Sequence, residues 1–191
     1  MYRIQMKDDE IVCSADSHSQ DYDYKPDISR YTAIILDVDG TLTDGKIYMS
    51  AEGESMKAFN VKDGYGIIYI LPPLGVTPII VTGRESRIVQ NRARELGITE
   101  VYQNVADKAA KLQELAEKYK CGLNAFAYIG DDLNDYEAMK LCGFKACPAD
   151  AVQGIKAIAD YIASHAGGNG AVRDVCEELA RRQISGGTCH Y

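Results

Sequence analysis

Asp37 and Asp39 stand two residues apart where an apolar run ends in DVDGTLTDG, which puts both carboxylates on one side if the strand stays regular. A carboxylate can attack phosphorus to give an acyl-phosphate that water opens, and a second one beside it can protonate the leaving alcohol and then activate the water. Gly40 permits a tight turn and close approach of backbone to a ligand. Asp and Gly are also common in plain strand-end turns, so this motif gains its weight from company.

Company stands at three other places. Thr82-Gly83-Arg84 closes a second apolar run, where the N–H groups of a following helix could take an anion and Thr82 could add a hydroxyl. Asp107-Lys108 opens a helical pattern with a lysine able to neutralise a transferred phosphoryl group. GDDLND then sets Asp131, Asp132 and Asp135 after a third apolar run, hard oxygens suited to magnesium. For this last group, capping of the next helix is the plain alternative.

The elements that must hold these residues are legible in outline. TAIILDVDG, VTPIIVTG (76–83) and AFAYIGDD (125–132) read as buried strands, with weaker strands expected at EVYQ and FKAC, which begin at Glu100 and Phe144. Helical spacing runs through DKAAKLQELAEKYK, with apolar residues at Ala109, Leu112, Ala116 and Tyr119. Residues 86–96, 133–141 and 171–182 read likewise as helices. Strands alternating with helices predict an α/β fold, a doubly wound and mostly parallel sheet with helices on both faces. Ligands of such folds sit beyond the C-terminal strand ends, where the acids fall. KIYMSAEGESMKAFNV (46–61) breaks the alternation with a hairpin signal at Ala51-Glu52-Gly53, over the mouth of the site. It is too short to be a separate cap domain.

Composition narrows the partners. The 191 residues allow one domain with a substantial core, and a formal charge of −7 argues against nucleic acid. MYRIQMKDDEIVCSADS lacks the apolar centre of a signal peptide, and no apolar run approaches a membrane span. Six scattered cysteines form no zinc pattern and are expected to be reduced, which fits a cytoplasmic enzyme. Residues 1–30 read as a polar lead-in, 31–183 as the core with hairpin 46–61, and 184–191 as a tail.

The motif order Asp-x-Asp, Thr, Lys, Asp-Asp resembles the haloacid dehalogenase superfamily of phosphatases from Thr32 to Arg182. A receiver domain shares the acceptor Asp, Thr and Lys, but its acid pair precedes the acceptor strand, whereas here the pair at Asp131 comes last. FNVKDGYGI, VTGRES, RARELGI and GGNGAVRDVCEEL look like the subfamily of 3-deoxy-D-manno-octulosonate 8-phosphate phosphatases, which serve the route to lipopolysaccharide. The resemblance implies Mg2+ as cofactor, with Asp37, Asp39 and Asp131 at the metal and Asp132 and Asp135 behind them. It implies Asp37 as nucleophile, Asp39 as acid/base, and Thr82 and Lys108 on the phosphate. Substrate contacts are implied for Asp39, Asn60, Val61, Lys62, Asp63, Gly64, Arg84, Arg92 and Lys108. Helical spacing agrees in setting Arg92 beside the apolar face of its helix, with Arg87 and Arg94 opposite.

Two departures stand out: Ile68 where the subfamily commonly has arginine, and the proline-rich turn LPPLG. Relatives acting on nine-carbon keto-deoxynonulosonate or sialic acid phosphates lack arginine at the position of Arg84, so Arg84 favours the eight-carbon substrate. The resemblance also implies a homotetramer in which hairpins pack together, a neighbour's glycine-rich tail reaches the site, and Arg173 makes a contact between chains. On that basis a chain ending at Ala166 is expected to fold but to lose activity. A nucleic-acid end phosphatase and a non-catalytic binding module are the competing classes. The acid balance counts against the first, and the presence of every expected acid against the second.

Overall fold

The computed structural model describes the backbone of residues 2–7, 10–15 and 31–185 and the side chains of 31–183. Strands β1 (Tyr2–Lys7) and β2 (Glu10–Ala15) pair antiparallel, with Tyr2 opposite Ala15. The lead-in thus contains a hairpin that its polar, aperiodic sequence did not announce. Residues 16–30 of that segment, and 186–191 of the expected tail, lie outside the described residues.

The core then follows in order. Strand β3 (Ala33–Leu36) leads to a hairpin of β4 (Tyr48–Ser50) and β5 (Gly53–Met56), and next to helix α1 (Val61–Tyr65). A π-helical turn (Gly66–Ile70) and a 3-10 turn (Pro72–Leu74) carry the chain into β6 (Thr77–Val81) and α2 (Arg87–Glu95). Strand β7 (Glu100–Tyr102), α3 (Lys108–Tyr119), β8 (Phe126–Ile129) and α4 (Tyr136–Leu141) come next. Strand β9 (Phe144–Cys147), α5 (Gln153–Lys156), β10 (Tyr161–Ile162) and α6 (Ala171–Ser185) finish the core. Helix α6 runs past the expected boundary at residue 183.

Six strands pair in parallel in the order β10-β9-β8-β3-β6-β7. Ala33, Ile34, Ile35 and Leu36 are all fully buried, as a central parallel strand covered on both faces requires. Ile34 and Leu36 pack with residues of α2, α6 and the π-turn, while Ala33 and Ile35 pack with α3, α4 and α5. Each such aliphatic side chain contributes about 1.5–3 kcal/mol by leaving water. The expected doubly wound sheet is therefore present. Chain order reverses about β3, between β6 and β8, and such a switch point opens a crevice at the strand ends.

Pro78 sits inside β6 without breaking the sheet. Thr77 donates to Thr32 on one side and Thr82 to Tyr102 on the other, so the missing N–H of Pro78 faces a level where β7 has not yet begun to pair. The LPPLG turn has a matching logic. Pro72 and Pro73 open a 3-10 turn, where absent N–H groups cost little, and Gly75 closes it in the left-handed region at φ 70°. No helix among the described residues is long and apolar enough to cross a membrane.

Candidate active site

Asp37 is the first residue beyond β3, and its N–H continues the ladder by donating to Ile129 O at 3.1 Å. Lys108 is the first residue of α3, behind the N-cap Asp107, whose carboxylate accepts from Ala110 N at 2.9 Å. That start aims Lys108 inward. Its Nζ lies 2.7 Å from Asp37 Oδ1 and 2.6 Å from Asp135 Oδ1, with its side chain only 2% exposed.

Asp131 and Asp135 come from the loop after β8. Asp135 Oδ1 also accepts from the Tyr128 hydroxyl at 2.7 Å, and its Oδ2 accepts from Asp131 N at 3.2 Å. Asp131 accepts from Thr41 Oγ1 at 3.2 Å. Asp37, Asp131 and Asp135 thereby bring one oxygen each within 4.8 Å of one another. Gly40, at φ 94°, makes this possible, since a Cβ there would overlap the Asp131 carboxylate.

The electrostatics are those of crowded acids. Burial, and then the charge of Asp135, push the Asp37 carboxyl up to about 6 despite Lys108. Burial, then Asp37 and Asp135, push Asp131 up to about 8, partly offset by the Thr41 hydrogen bond. Burial works against the Lys108 ammonium, but Asp37 and Asp135 overcome it and its pKa is raised. Three carboxylates facing one ammonium leave two negative charges when all are ionised. The donor set therefore fits a hard divalent cation, with oxygen ligands only.

Asp39 stands apart from this cluster. Its Oδ1 pairs with Lys57, and its Oδ2 lies 3.7 Å from Arg84 Nε. Thr82 follows β6 directly and is buried, with its N–H on Tyr102 O and its carbonyl accepting from Val105 N. Arg84, exposed, reaches toward Glu54 of the hairpin at 3.6 Å, so hairpin and DxD loop meet over the strand ends. Asp132 is exposed and its carboxylate accepts from Leu133 N, unlike Asp135, which is fully buried.

The segment expected to touch substrate divides in two. Asn60 caps α1, accepting from Lys62 N at 2.8 Å, and its Nδ2 donates to Gly168 O at 3.3 Å. Val61 and Lys62 are exposed, and Arg92 Nη2 reaches Asn60 O at 3.5 Å. Asp63, by contrast, is 1% exposed and accepts from Arg173 N at 2.9 Å at the start of α6. A Cβ on Gly64 would come within 2.8 Å of Arg92 Nη2. Within this chain Asp63 and Gly64 are thus engaged in packing α1 against α6 and α2. Ile68 lines a cleft of about 210 Å³ with Tyr65, Tyr69 and Leu96.

Arg173 pairs with Glu177 at 2.5 Å and stacks over Tyr65 at 4.6 Å, so within this chain it braces two helices. The glycine-rich segment lies on its own chain's DxD loop: Gly168 N donates to Thr41 O at 3.1 Å, and a Cβ on Gly167 would overlap the Gly40 carbonyl. Sequence reasoning missed Lys57, Thr41 and Tyr128. None has a spacing signal, because each is defined by a partner far away in the chain.

The haloacid dehalogenase-like hydrolase model matches residues 95–174. The 3-deoxy-D-manno-octulosonate 8-phosphate phosphatase of Escherichia coli K12 is 45% identical over 150 residues, covering 78% of this chain and 79% of that protein. The structure of the Moraxella catarrhalis enzyme with magnesium, phosphate and KDO has TM-score 0.78 and 41% identity, covering 82% of this chain and 89% of that one. The cobalt-bound Haemophilus influenzae enzyme has TM-score 0.77 and 34% identity, covering 81% and 90%. At these identities and coverages, the chain belongs to the 3-deoxy-D-manno-octulosonate 8-phosphate phosphatases of the haloacid dehalogenase-like hydrolases.

Proposed function

We propose that this chain is a magnesium-dependent phosphatase that hydrolyses 3-deoxy-D-manno-octulosonate 8-phosphate to the free sugar acid and phosphate. The observation that carries the reading is the cluster of Asp37, Asp131 and Asp135 bridged by buried Lys108. Asp37 and Asp131 would hold the metal by their carboxylates. Asp39, two residues after Asp37 in the same loop, would be the third residue at the metal. Asp132 and Asp135 stand behind, with Asp135 fixing Lys108. Magnesium supplies positive charge against the acids and the phosphoryl oxygens.

The chain's own groups do the rest. An Asp37 oxygen bonds to phosphorus as the bridging P–O bond breaks, and protonated Asp39 gives its proton to the departing alkoxide. Asp39 then takes a proton from water as that water's oxygen bonds phosphorus and the acyl-phosphate P–O bond breaks. Lys108 and the Thr82 hydroxyl hold the transferred group's oxygens. Arg84, and Arg92 beside Asn60 with Val61 and Lys62 following, would take the sugar acid's carboxylate and hydroxyls, since a guanidinium can bind both carboxylate oxygens.

The hairpin exposes Ile47, Met49 and Met56, and their apolar surface supports a homotetramer in which hairpins meet. The acidic balance supports an enzyme that binds no nucleic acid. Steady-state kinetics with magnesium on eight-carbon and nine-carbon keto-sugar acid phosphates and on nucleotide ends tests the substrate. The expected result is kcat/KM highest on the eight-carbon ester by about tenfold or more, a difference of about 1.4 kcal/mol. Equal rates on all, or none, would remove the assignment. Asp37→Asn should keep the fold and lose turnover.

A further inference from the structure

Lys57 is the most buried cation in the hairpin region, and nothing in the reaction as described so far uses it. Its side chain is 1% exposed, although lysine rarely gives up water without a partner. It lies just after β5, with its Nζ paired to Asp39 Oδ1 and 3.0 Å from Glu54 Oε1. Glu54 in turn accepts from Ser86 Oγ, and Ser86 is the N-cap of α2, with its N–H on Gln103 Oε1 at 2.7 Å. The ammonium thus ties three elements together: the loop after β3, the hairpin and the start of α2.

The two oxygens of Asp39 are left unequal by this arrangement. Oδ1 is held by the buried Lys57 ammonium, while among the described residues Oδ2 has only Arg84 at 3.7 Å, too far for a hydrogen bond. A carboxyl that must hand one proton to a leaving oxygen and then take one from water needs one oxygen fixed and the other facing the reacting atoms. We propose that Lys57 is a positioning residue for the reaction, anchoring Asp39 by Oδ1 so that Oδ2 carries the proton to the leaving group and later from water. This rests on the assignment of Asp39 as acid/base.

The consequence differs between substrates. An alkoxide from a sugar phosphate needs Asp39's proton as the P–O bond breaks, whereas p-nitrophenolate leaves without it. Loss of Lys57 should therefore slow formation of the acyl-phosphate from the sugar ester far more than from the aryl ester. A direct contact of Lys57 with the phosphoryl group would slow both alike.

The experiment is a double-mutant cycle of Lys57→Met and Asp39→Asn, measured with magnesium on 3-deoxy-D-manno-octulosonate 8-phosphate and on p-nitrophenyl phosphate. Lys57→Met is expected to lower kcat on the sugar ester by about 10- to 100-fold, a part of the usual acid–base contribution. KM should change by less than about twofold, and the first-turnover burst of nitrophenolate should persist. In the Asp39→Asn background, Lys57→Met should change kcat by less than about twofold, because a residue acting through another has no effect once that other is gone. Equal losses with and without Asp39, or equal slowing of the first turnover, in which the acyl-phosphate forms, on both esters, would overturn the proposal, as would an unchanged Lys57→Met enzyme. Should Lys57→Met fail to fold by circular dichroism, Lys57→Gln enters the same cycle under the same criteria. Wild-type turnover by Asp39→Asn alone would overturn the acid/base assignment itself, and that result is read without touching Lys57.

Discussion

Lys108 Nζ lies 2.7 Å from Asp37 Oδ1, an ion pair buried on both sides that joins the start of α3 to the end of β3. The same ammonium reaches Asp135, so a single cation holds two of three clustered acids. Lys108→Met would strand them. Removing one partner of a buried pair costs about 3–5 kcal/mol, and turnover should fall about 10²- to 10³-fold with the lost phosphoryl contact. Calorimetry without metal and kinetics with it check both parts, and a variant as stable and active as the parent would contradict this geometry.

Asp37 and Asp131 hold protons up to about 6 and about 8 in the folded chain, above the ordinary carboxylate range. Folded protein therefore binds protons that unfolded chain has already released, and stability is full at low pH and declines as pH rises through those values. In chelator, the melting temperature is expected to fall between about pH 4, where the unfolded chain's carboxyls ionise, and about pH 8, where Asp131 does so in the folded chain. Magnesium should flatten that fall by stabilising the ionised form and binding only the folded state. A melting temperature independent of pH in chelator would contradict the crowding.

Gly40→Ala sets a methyl group against the Asp131 carboxylate in a backbone with φ 94°. The left-handed conformation alone costs an alanine about 1–2 kcal/mol. Displacement of Asp131 should weaken magnesium binding about tenfold or more, as when a ligand loses its support. Titration of activity against magnesium reads this directly. Unaltered metal dependence would mean that Asp131 is not a ligand.

A chain ended at Ala166 should not fold, contrary to the expectation from sequence. Helix α6 inserts Ala171, Val172, Val175, Cys176, Leu179 and Ala180 into the core, each fully buried. Losing them removes about 1.5–3 kcal/mol for each larger side chain, against a typical total stability of about 5–15 kcal/mol. Circular dichroism and a thermal melt of the shortened chain give the answer, and a cooperative melt near the parent's would disprove the claim.

The legible parts of the fold were those where one residue type answers one environment. AIIL reads as a central parallel strand because both its faces must be apolar, and α3 reads from the spacing of Ala109, Leu112, Ala116 and Tyr119. The acids were legible because catalysis needs rare chemistry at strand ends. Lys57 was not, since the same lysine on an open hairpin would be ordinary, and only its distant partners Asp39 and Glu54 make it special. The π-helical turn from Gly66 to Ile70 and the two-residue β10 were also hidden, being set by packing and strand pairing rather than by local period. Asp63 is ambiguous for a related reason: a carboxylate beside a glycine suits a ligand and a helix N-terminus equally well, and within this chain it accepts from Arg173 N at the start of α6.

Tyr31, where the core begins, and Arg182, near its end, both rest on Phe144, with the tyrosine ring 5.9 Å and the guanidinium carbon 4.4 Å from it. Phe144 opens β9, so these two points meet at the floor of the sheet, opposite the rim that carries the carboxylates. Such adjacency makes the core a candidate for circular permutation, with a short linker across the floor and new ends cut at the exposed turn of Ala51 and Glu52. It also gives protein engineers a place to hang a reporter or an affinity handle without shadowing the entrance used by substrate.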